Sequence, residues 1–169
     1  MASDTPAPAP RSPAVTIIAL IGFVALTWVA GWLGTFATTP NIPTWYAGLE
    51  KPWFNPPNAA FPIAWGILYT LMAVAAWLVW RRDHPGRRAA LTAFFVQLVI
   101  NVLWSFAFFG AHSPLLGLVV IVLLIAAIVW TIRAFAPVSR PAAWLLAPYL
   151  AWVLFATALN LAILVLNGA

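Results

Sequence analysis

Long apolar runs separated by short polar or proline-containing segments dominate the pattern of this chain. We place five such runs, at residues 15–36, 61–80, 89–109, 115–132 and 144–166. Each has about 18 to 23 residues, and a helix of that length crosses the roughly 30 Å hydrocarbon core of a bilayer. The first run is longer than the apolar core of a signal peptide. The pattern therefore predicts an all-α integral membrane protein, a bundle of five transmembrane helices.

Two longer segments lie outside these runs. Residues 1–13 alternate small residues with proline and lack the apolar bulk that offsets the entropy of ordering, so we expect a disordered Pro/Ala-rich tail followed by one transmembrane domain at 14–169. Residues 37–60 join the first two helices and combine prolines, which interrupt helices, with aromatic rings, which seek partial burial. This segment, the lid loop, is predicted to cover the bundle. The alternative is an aromatic belt in the headgroup layer.

Polar side chains recur along the third run. Gln97, Asn101 and Ser105 are spaced four residues apart, so they share one helix face, with Trp104 beside them. The stripe must face protein, because amides exposed to lipid lose their hydrogen bonds. The amides either join helices or contact a ligand. Both interpretations stay open for Asn101, whereas a joining role is favoured for Gln97.

Aromatic stripes mark the second and fifth runs. Trp65 and Tyr69 share a face of the second run, and Trp152, Ala156 and Asn160 share a face of the fifth. A small residue between an indole and an amide leaves room for a flat ligand. These stripes predict a pocket between the second, third and fifth helices, with the fourth helix and much of the first as outer scaffold.

Composition and charge agree with a membrane protein. The chain is 64% hydrophobic and 7% charged, and it has no cysteine, which excludes disulfides and thiolate chemistry. Its basic residues lie in short turns, which argues against nucleic acid as a partner. With five spans, every arginine falls on the side of the N-terminus and Lys51 on the other. The bias predicts a cytoplasmic N-terminus and a C-terminus on the opposite side. An all-helical fold favours the bacterial inner membrane over the outer.

The titratable residues do not form a catalytic pattern. Asp4, Glu50 and Asp83 lie in the predicted tail or turns, and His84 and His112 lie in turns near opposite faces. Paired carboxylates, a Ser-His-Asp set and a metal-ligand cluster are not evident in the sequence. The residues favour binding over conventional hydrolysis, with no required cofactor.

Three motifs carry a family resemblance. WYAGLEKPWFNPP at residues 45–57, followed by PIAWGILY at 62–69, resembles the signature of the translocator protein family, also called tryptophan-rich sensory proteins or peripheral benzodiazepine receptors. Residues 97–110 resemble the third helix of that family, and residues 148–160 resemble its fifth helix. The resemblance spans roughly residues 15–166 and is to a bacterial member.

The resemblance implies a five-helix bundle, usually homodimeric, with a pocket under the lid loop that binds porphyrins and synthetic aromatic ligands. The family's sterol motif would need a Tyr and an Arg after Leu159, and both are absent, so sterol transport is not expected. Together the stripes and the resemblance define the candidate ligand-binding residues, which are Trp45, Trp53, Trp65, Tyr69, Asn101, Trp104, Trp152, Phe155 and Ala156.

The expected function is that of a membrane tetrapyrrole-binding protein, which senses, carries or regulates porphyrin and pigment metabolism. Its expected partners are the lipid bilayer, a porphyrin ligand and a second copy of the chain. An alternative is an accessory subunit docked to a photosynthetic or other pigment-protein complex. A third hypothesis is an enzyme that breaks down porphyrin in light through the two tryptophans at 65 and 152.

Overall fold

The computed structural model describes residues 12–168, and its helices confirm the all-α membrane fold. Five helical segments of this range are long and apolar enough to cross a membrane. The predicted tail lies outside the described residues, apart from Ser12 and Pro13, which begin the first helix. The helices are α1 (Pro13–Thr38), α2 (Ala60–Trp80), α3 (Arg87–Ser105), α4 (Pro114–Phe135), α5 (Arg140–Leu145) and α6 (Ala147–Asn167).

Serine-proline pairs set the starts of α1 and α4. Ser12 Oγ accepts a hydrogen bond from the backbone N–H of Val15 at 3.3 Å, and Ser113 Oγ accepts one from Leu116 at 3.1 Å. The following residues, Pro13 and Pro114, occupy the first helical turn, where a missing N–H costs little. Both helices therefore begin slightly before the apolar runs.

The fifth span is interrupted, whereas the sequence pattern suggested a continuous helix over 144–166. It begins at Arg140, breaks at Leu146 and continues as α6. Pro148 has no backbone N–H, so it cannot donate to the carbonyl of Trp144 in the preceding turn. The end of α3 is also irregular, because residues Phe106–Gly110 form a wider π-helical turn.

The five spans form a ring. α1 packs along α2 and α3, α4 lies between α3 and α6, and α2 packs against α5. The order around the bundle is therefore α1, α2, the fifth span, α4 and α3. Fully buried Met72, Phe94, Ile128 and Tyr149 belong to one continuous core.

The lid loop is fastened to the bundle near its start and near its middle. Near its start, His112 Nε2 lies 2.7 Å from Asn41 Oδ1. Near its middle, the Glu50 N–H donates to Asn167 Oδ1 and Asn167 Nδ2 donates to the Glu50 carbonyl, both at 2.9 Å. The loop thus reaches from the α3–α4 turn to the last residue of α6.

Candidate functional site: an aromatic cavity under the lid loop

A cavity of about 340 Å³ lies inside the bundle beneath the lid loop. Its lining residues come from α1, α2, α3 with its π-helical turn, α6 and the lid loop, and none of them lies on α4. This volume falls within the roughly 300–1,000 Å³ of small-molecule sites. The prediction that α4 belongs to the scaffold agrees with this arrangement.

Aromatic rings form the walls of the cavity. Trp65 stacks on Tyr69 with ring centroids 5.3 Å apart, and Trp104 stacks on Phe108 at 5.6 Å. Trp152 meets Phe61 edge to face at 5.9 Å. All of these rings line the cavity. They come from three of the spans, so a flat molecule in the cavity meets aromatic surface from more than one side.

A chain of hydrogen bonds runs from the cavity wall into the core. Tyr69 Oη donates to Asn101 Oδ1 at 2.8 Å, and Asn101 Nδ2 donates to Tyr149 Oη at 3.1 Å. Tyr149 Oη in turn donates to Gln97 Oε1 at 2.9 Å. Asn101 therefore both joins helices and lines the cavity, whereas Gln97 joins α3 to α6 and is not among the lining residues.

Glycines bring α1 against the cavity. A Cβ atom at Gly31 would overlap the ring of Tyr69, and one at Gly34 would lie 2.9 Å from Ser105 Oγ. The absence of these side chains lets the α2 and α3 residues approach the α1 backbone. Gly31, Gly34 and Thr35 line the cavity. The C-terminal part of α1 thus belongs to the cavity wall, whereas most of the helix is exposed on the outside of the bundle, as expected for outer scaffold.

The structure brings most of the sequence-predicted residues together. The candidates that line the cavity are Trp65, Tyr69, Asn101, Trp104, Trp152 and Ala156.

The other three candidates lie outside the cavity lining. Trp45 stacks on His112 with ring centroids 4.9 Å apart, on the loop side of the bundle. The ring centroids of Phe155 and Phe54 lie 6.3 Å apart, and Phe155 lines a groove on the outside of the bundle. Trp53 is 95% exposed, so it projects from the loop and does not fold under it.

Sequence reasoning missed Tyr149, which is fully buried at the centre of the hydrogen-bond chain. A signal existed, since a tyrosine in an apolar helix needs a partner for its hydroxyl group. It also missed Tyr46 and Phe61, which line the cavity from the loop and from the start of α2. Their places depend on how the loop folds back, which periodicity does not report.

The cavity lining is uncharged. In the lid loop, outside the spanning helices, burial raises the pKa of Tyr46 above its usual value, so its hydroxyl stays protonated and donates to Asn55 Oδ1 at 2.9 Å. Among residues 12–168, no group of three or more His, Cys, Asp or Glu side chains is placed to hold a metal ion.

Five spanning helices in residues 12–168, four of which line an aromatic cavity, define a polytopic helical membrane protein with an internal, mainly apolar chamber.

Comparison with known proteins identifies the family, and the chain belongs to it: residues 23–166 match the TspO/MBR family. The chain is 42% identical to the tryptophan-rich protein TspO of Archaeoglobus fulgidus, over 91% of this chain and all of that protein. It is 39% identical to a tryptophan-rich sensory protein of Cereibacter sphaeroides, over 84% and 90% of the two chains. It is 36% identical to the translocator protein of Bos taurus, over 83% and 85%. These matches confirm the resemblance seen in the motifs.

Proposed function

We propose that this membrane protein binds a flat tetrapyrrole of the porphyrin type in the cavity, and that it acts as a sensor, carrier or regulator of porphyrin and pigment metabolism. The observation that carries the proposal is the placing of Trp65 and Trp152, from different helices, on the walls of one uncharged cavity. The names of the relatives, a sensory protein and a translocator protein, support a sensing or carrying role.

The chemistry of the lining suits a flat aromatic ligand. Stacking on an aromatic face is worth about 0.5 to 1.5 kcal/mol beyond the burial of area. The amide of Asn101 is already paired on both sides, so it forms part of a rigid wall. Ala156 adds little bulk between Trp152 and Asn160, which leaves width for a ring system.

Titration with protoporphyrin IX tests the proposal, with quenching of tryptophan fluorescence as the signal. Trp65→Phe and Trp152→Phe should each weaken binding by about 2- to 12-fold, which corresponds to the stacking energy. In the double variant, the loss of binding free energy should differ from the sum of the two single losses, because both rings contact one ligand. Trp144→Phe is the matched control, since Trp144 is exposed on α5 and does not line the cavity. Equal affinity in all variants would contradict the assignment of the site.

A second candidate function is that of a subunit in a larger assembly. α1 is the least covered of the five spans, and its Trp28, Trp32 and Phe36 form an exposed stripe four residues apart. The stripe would suit a second copy of the chain or a helix of a pigment-protein complex. Purification from native membranes in mild detergent distinguishes these outcomes by the mass of the recovered complex. Recovery as a monomer would count against this function.

For localisation, we propose the inner membrane of a bacterium, with the N-terminus in the cytoplasm. The support is the all-helical fold and the concentration of arginines in the turns at one end of the bundle. Membrane fractionation on a density gradient tests the first part, and the expected result is co-migration with inner-membrane marker enzymes.

A further inference from the structure

A groove of about 540 Å³ lies on the outside of the bundle between α2 and α6, and Pro56 of the lid loop also lines it. These two helices contact each other at only a few points, and the short side chains of Ala64 and Ala151 leave a hollow between them. The side chains that line it are aliphatic or aromatic, and they include Ala64, Ile67, Leu68, Ala151, Trp152 and Phe155.

The position of the groove along the helices places it within the bilayer. At 1.5 Å per residue, Ile67 lies about 21 Å along the chain from Arg81, and Ala151 lies about 17 Å from Arg140. Both distances fall within the roughly 30 Å of the hydrocarbon core, measured from the arginine-rich end of the bundle. Ile67, which lines the groove, is 57% exposed. In a spanning helix that exposure is to acyl chains.

The same indole borders both the groove and the cavity. Trp152 lines both the cavity and the groove. An occupant of the groove therefore contacts a residue that also forms the cavity wall. Without an occupant, this residue borders unfilled volume in the groove.

We propose that the groove binds one acyl chain of a membrane lipid, and that the bound chain holds Trp152 in place as a wall of the cavity. An acyl chain is the occupant that fits, because the groove presents no charged side chain for a headgroup and lies at the depth of the hydrocarbon. The effect on the cavity rests on the proposed tetrapyrrole binding. By linkage, a lipid that stabilises the liganded wall and a ligand that stacks on it raise the affinity for each other.

Native mass spectrometry of the full chain in mild detergent, titrated with dioleoylphosphatidylcholine, tests the lipid site. Ala151→Phe places a ring in the groove and should lower the affinity for the tightest bound lipid at least tenfold. Ala126→Phe is the matched control, because Ala126 is exposed on α4 and lines neither hollow. Ala64→Phe, which fills the groove from α2, serves if Ala151→Phe fails to fold.

The choice of lipid tests what is recognised. Dioleoylphosphatidylglycerol should bind as tightly as dioleoylphosphatidylcholine, whereas dihexanoylphosphatidylcholine should bind at least tenfold more weakly, because the groove contacts the chain and not the headgroup. Equal lipid affinity in wild type and both groove variants would overturn the proposal. A strong preference for one headgroup would also overturn it.

The coupling is measured separately, as the affinity for protoporphyrin IX with and without added dioleoylphosphatidylcholine. The wild type and Ala126→Phe should bind more tightly with lipid, and Ala151→Phe should show no lipid dependence. Porphyrin binding that ignores lipid in the wild type would overturn the coupling. Failure of the wild type to bind porphyrin at all would instead refute the proposed function. The lipid affinities from native mass spectrometry would still test the groove as a lipid site.

Discussion

Tyr149 shows how a buried hydroxyl group can order two helices. It accepts from Asn101 and donates to Gln97, so α6 is tied to two positions one turn apart on α3. Asn101 also accepts from Tyr69 of α2. Each of these groups would lose its hydrogen bonds if it faced lipid. These hydrogen bonds therefore fix the rotation of α2, α3 and α6 about their axes, and with it the direction in which their aromatic stripes point.

Tyr149→Phe should lower thermal stability more than Tyr69→Phe. The first change leaves both Gln97 Oε1 and Asn101 Nδ2 without the partner they have in the core, and each unpaired buried group costs about 1 to 3 kcal/mol. The second removes a single hydrogen bond at the cavity wall, where water or a ligand can replace it. The midpoint of thermal unfolding in detergent is the measurement. Equal midpoints for the two variants would contradict this account.

Ala156 is expected to tolerate no larger side chain when the cavity is occupied. It lines the cavity beside Trp152, so Ala156→Phe fills space that a ligand would use. Overpacking costs about 1 to 3 kcal/mol, which corresponds to a loss of about 5- to 150-fold in porphyrin affinity. The control is Ala158→Phe, at an exposed position of the same helix. Similar affinities in the two variants would place the ligand elsewhere.

At the scale of elements, the lid loop is held by side chains that are far apart in the sequence. The Glu50 backbone pairs with the amide of Asn167, and the start of the loop pairs with His112. Within the loop, Tyr46 is buried and bonds to Asn55. The loop is therefore an ordered part of the cavity wall, although most of its backbone is not in long helices.

Asn167→Ala should free the middle of the loop. The reciprocal pair with Glu50 holds the backbone at the one glutamate of the chain. A protease that cuts after glutamate should therefore cleave between Glu50 and Lys51 several-fold faster in this variant, because cleavage requires local opening. Val165→Ala, at a 74% exposed position near the same helix end, is the control and should be cleaved at the wild-type rate. An unchanged rate in Asn167→Ala would show that other contacts hold the loop.

Raising the pH should loosen the same loop through Tyr46. Burial raises the pKa of this hydroxyl above its usual value of about 10, so the closed loop binds the proton more tightly than the open loop does. The stabilisation is fully present below about pH 10 and is lost as the pH rises through the raised pKa. The difference in tyrosinate absorbance between wild type and Tyr46→Phe should titrate above pH 10. A midpoint at or below 10 would contradict burial of this ring.

For the whole molecule, the distribution of charge defines two unlike ends. The turns between α2 and α3 and between α4 and α5 contain or adjoin six arginines, which are Arg81, Arg82, Arg87, Arg88, Arg133 and Arg140. The turn between α3 and α4 has no charged residue, and the lid loop has Lys51 and Glu50. Such asymmetry sets the orientation of insertion, because arginine-rich turns stay in the cytoplasm.

Reporter fusions at the two termini test the orientation. We expect a cytoplasmic signal from a reporter before Met1 and a signal from the opposite side for a reporter after Ala169. Replacing Arg81, Arg82, Arg87 and Arg88 by neutral residues should weaken the bias and yield a mixed orientation. The same signal from both termini would contradict an odd number of spans.

The sequence by itself determined the number of spans and the polar and aromatic stripes, because hydropathy sums over neighbouring residues and helical periodicity repeats along the chain. It also identified the family, because the order and spacing of the family's motifs can be read from the sequence without a structure. Trp65, Tyr69 and Asn101 could be proposed as neighbours on those grounds, since a polar stripe in a membrane must face protein.

Only the tertiary structure decided which of these faces meet. The lack of a Cβ atom at Gly31 lets the ring of Tyr69 lie against α1, and no local pattern reports the distance between two helices. The pairing of Glu50 with Asn167 joins residues 117 positions apart in the chain, and it depends on where the loop folds back. The fold of the loop also leaves Trp53 exposed, although Trp65, another tryptophan, lines the cavity. Contacts between elements depend on their relative rotation and separation, which hydropathy and periodicity do not contain.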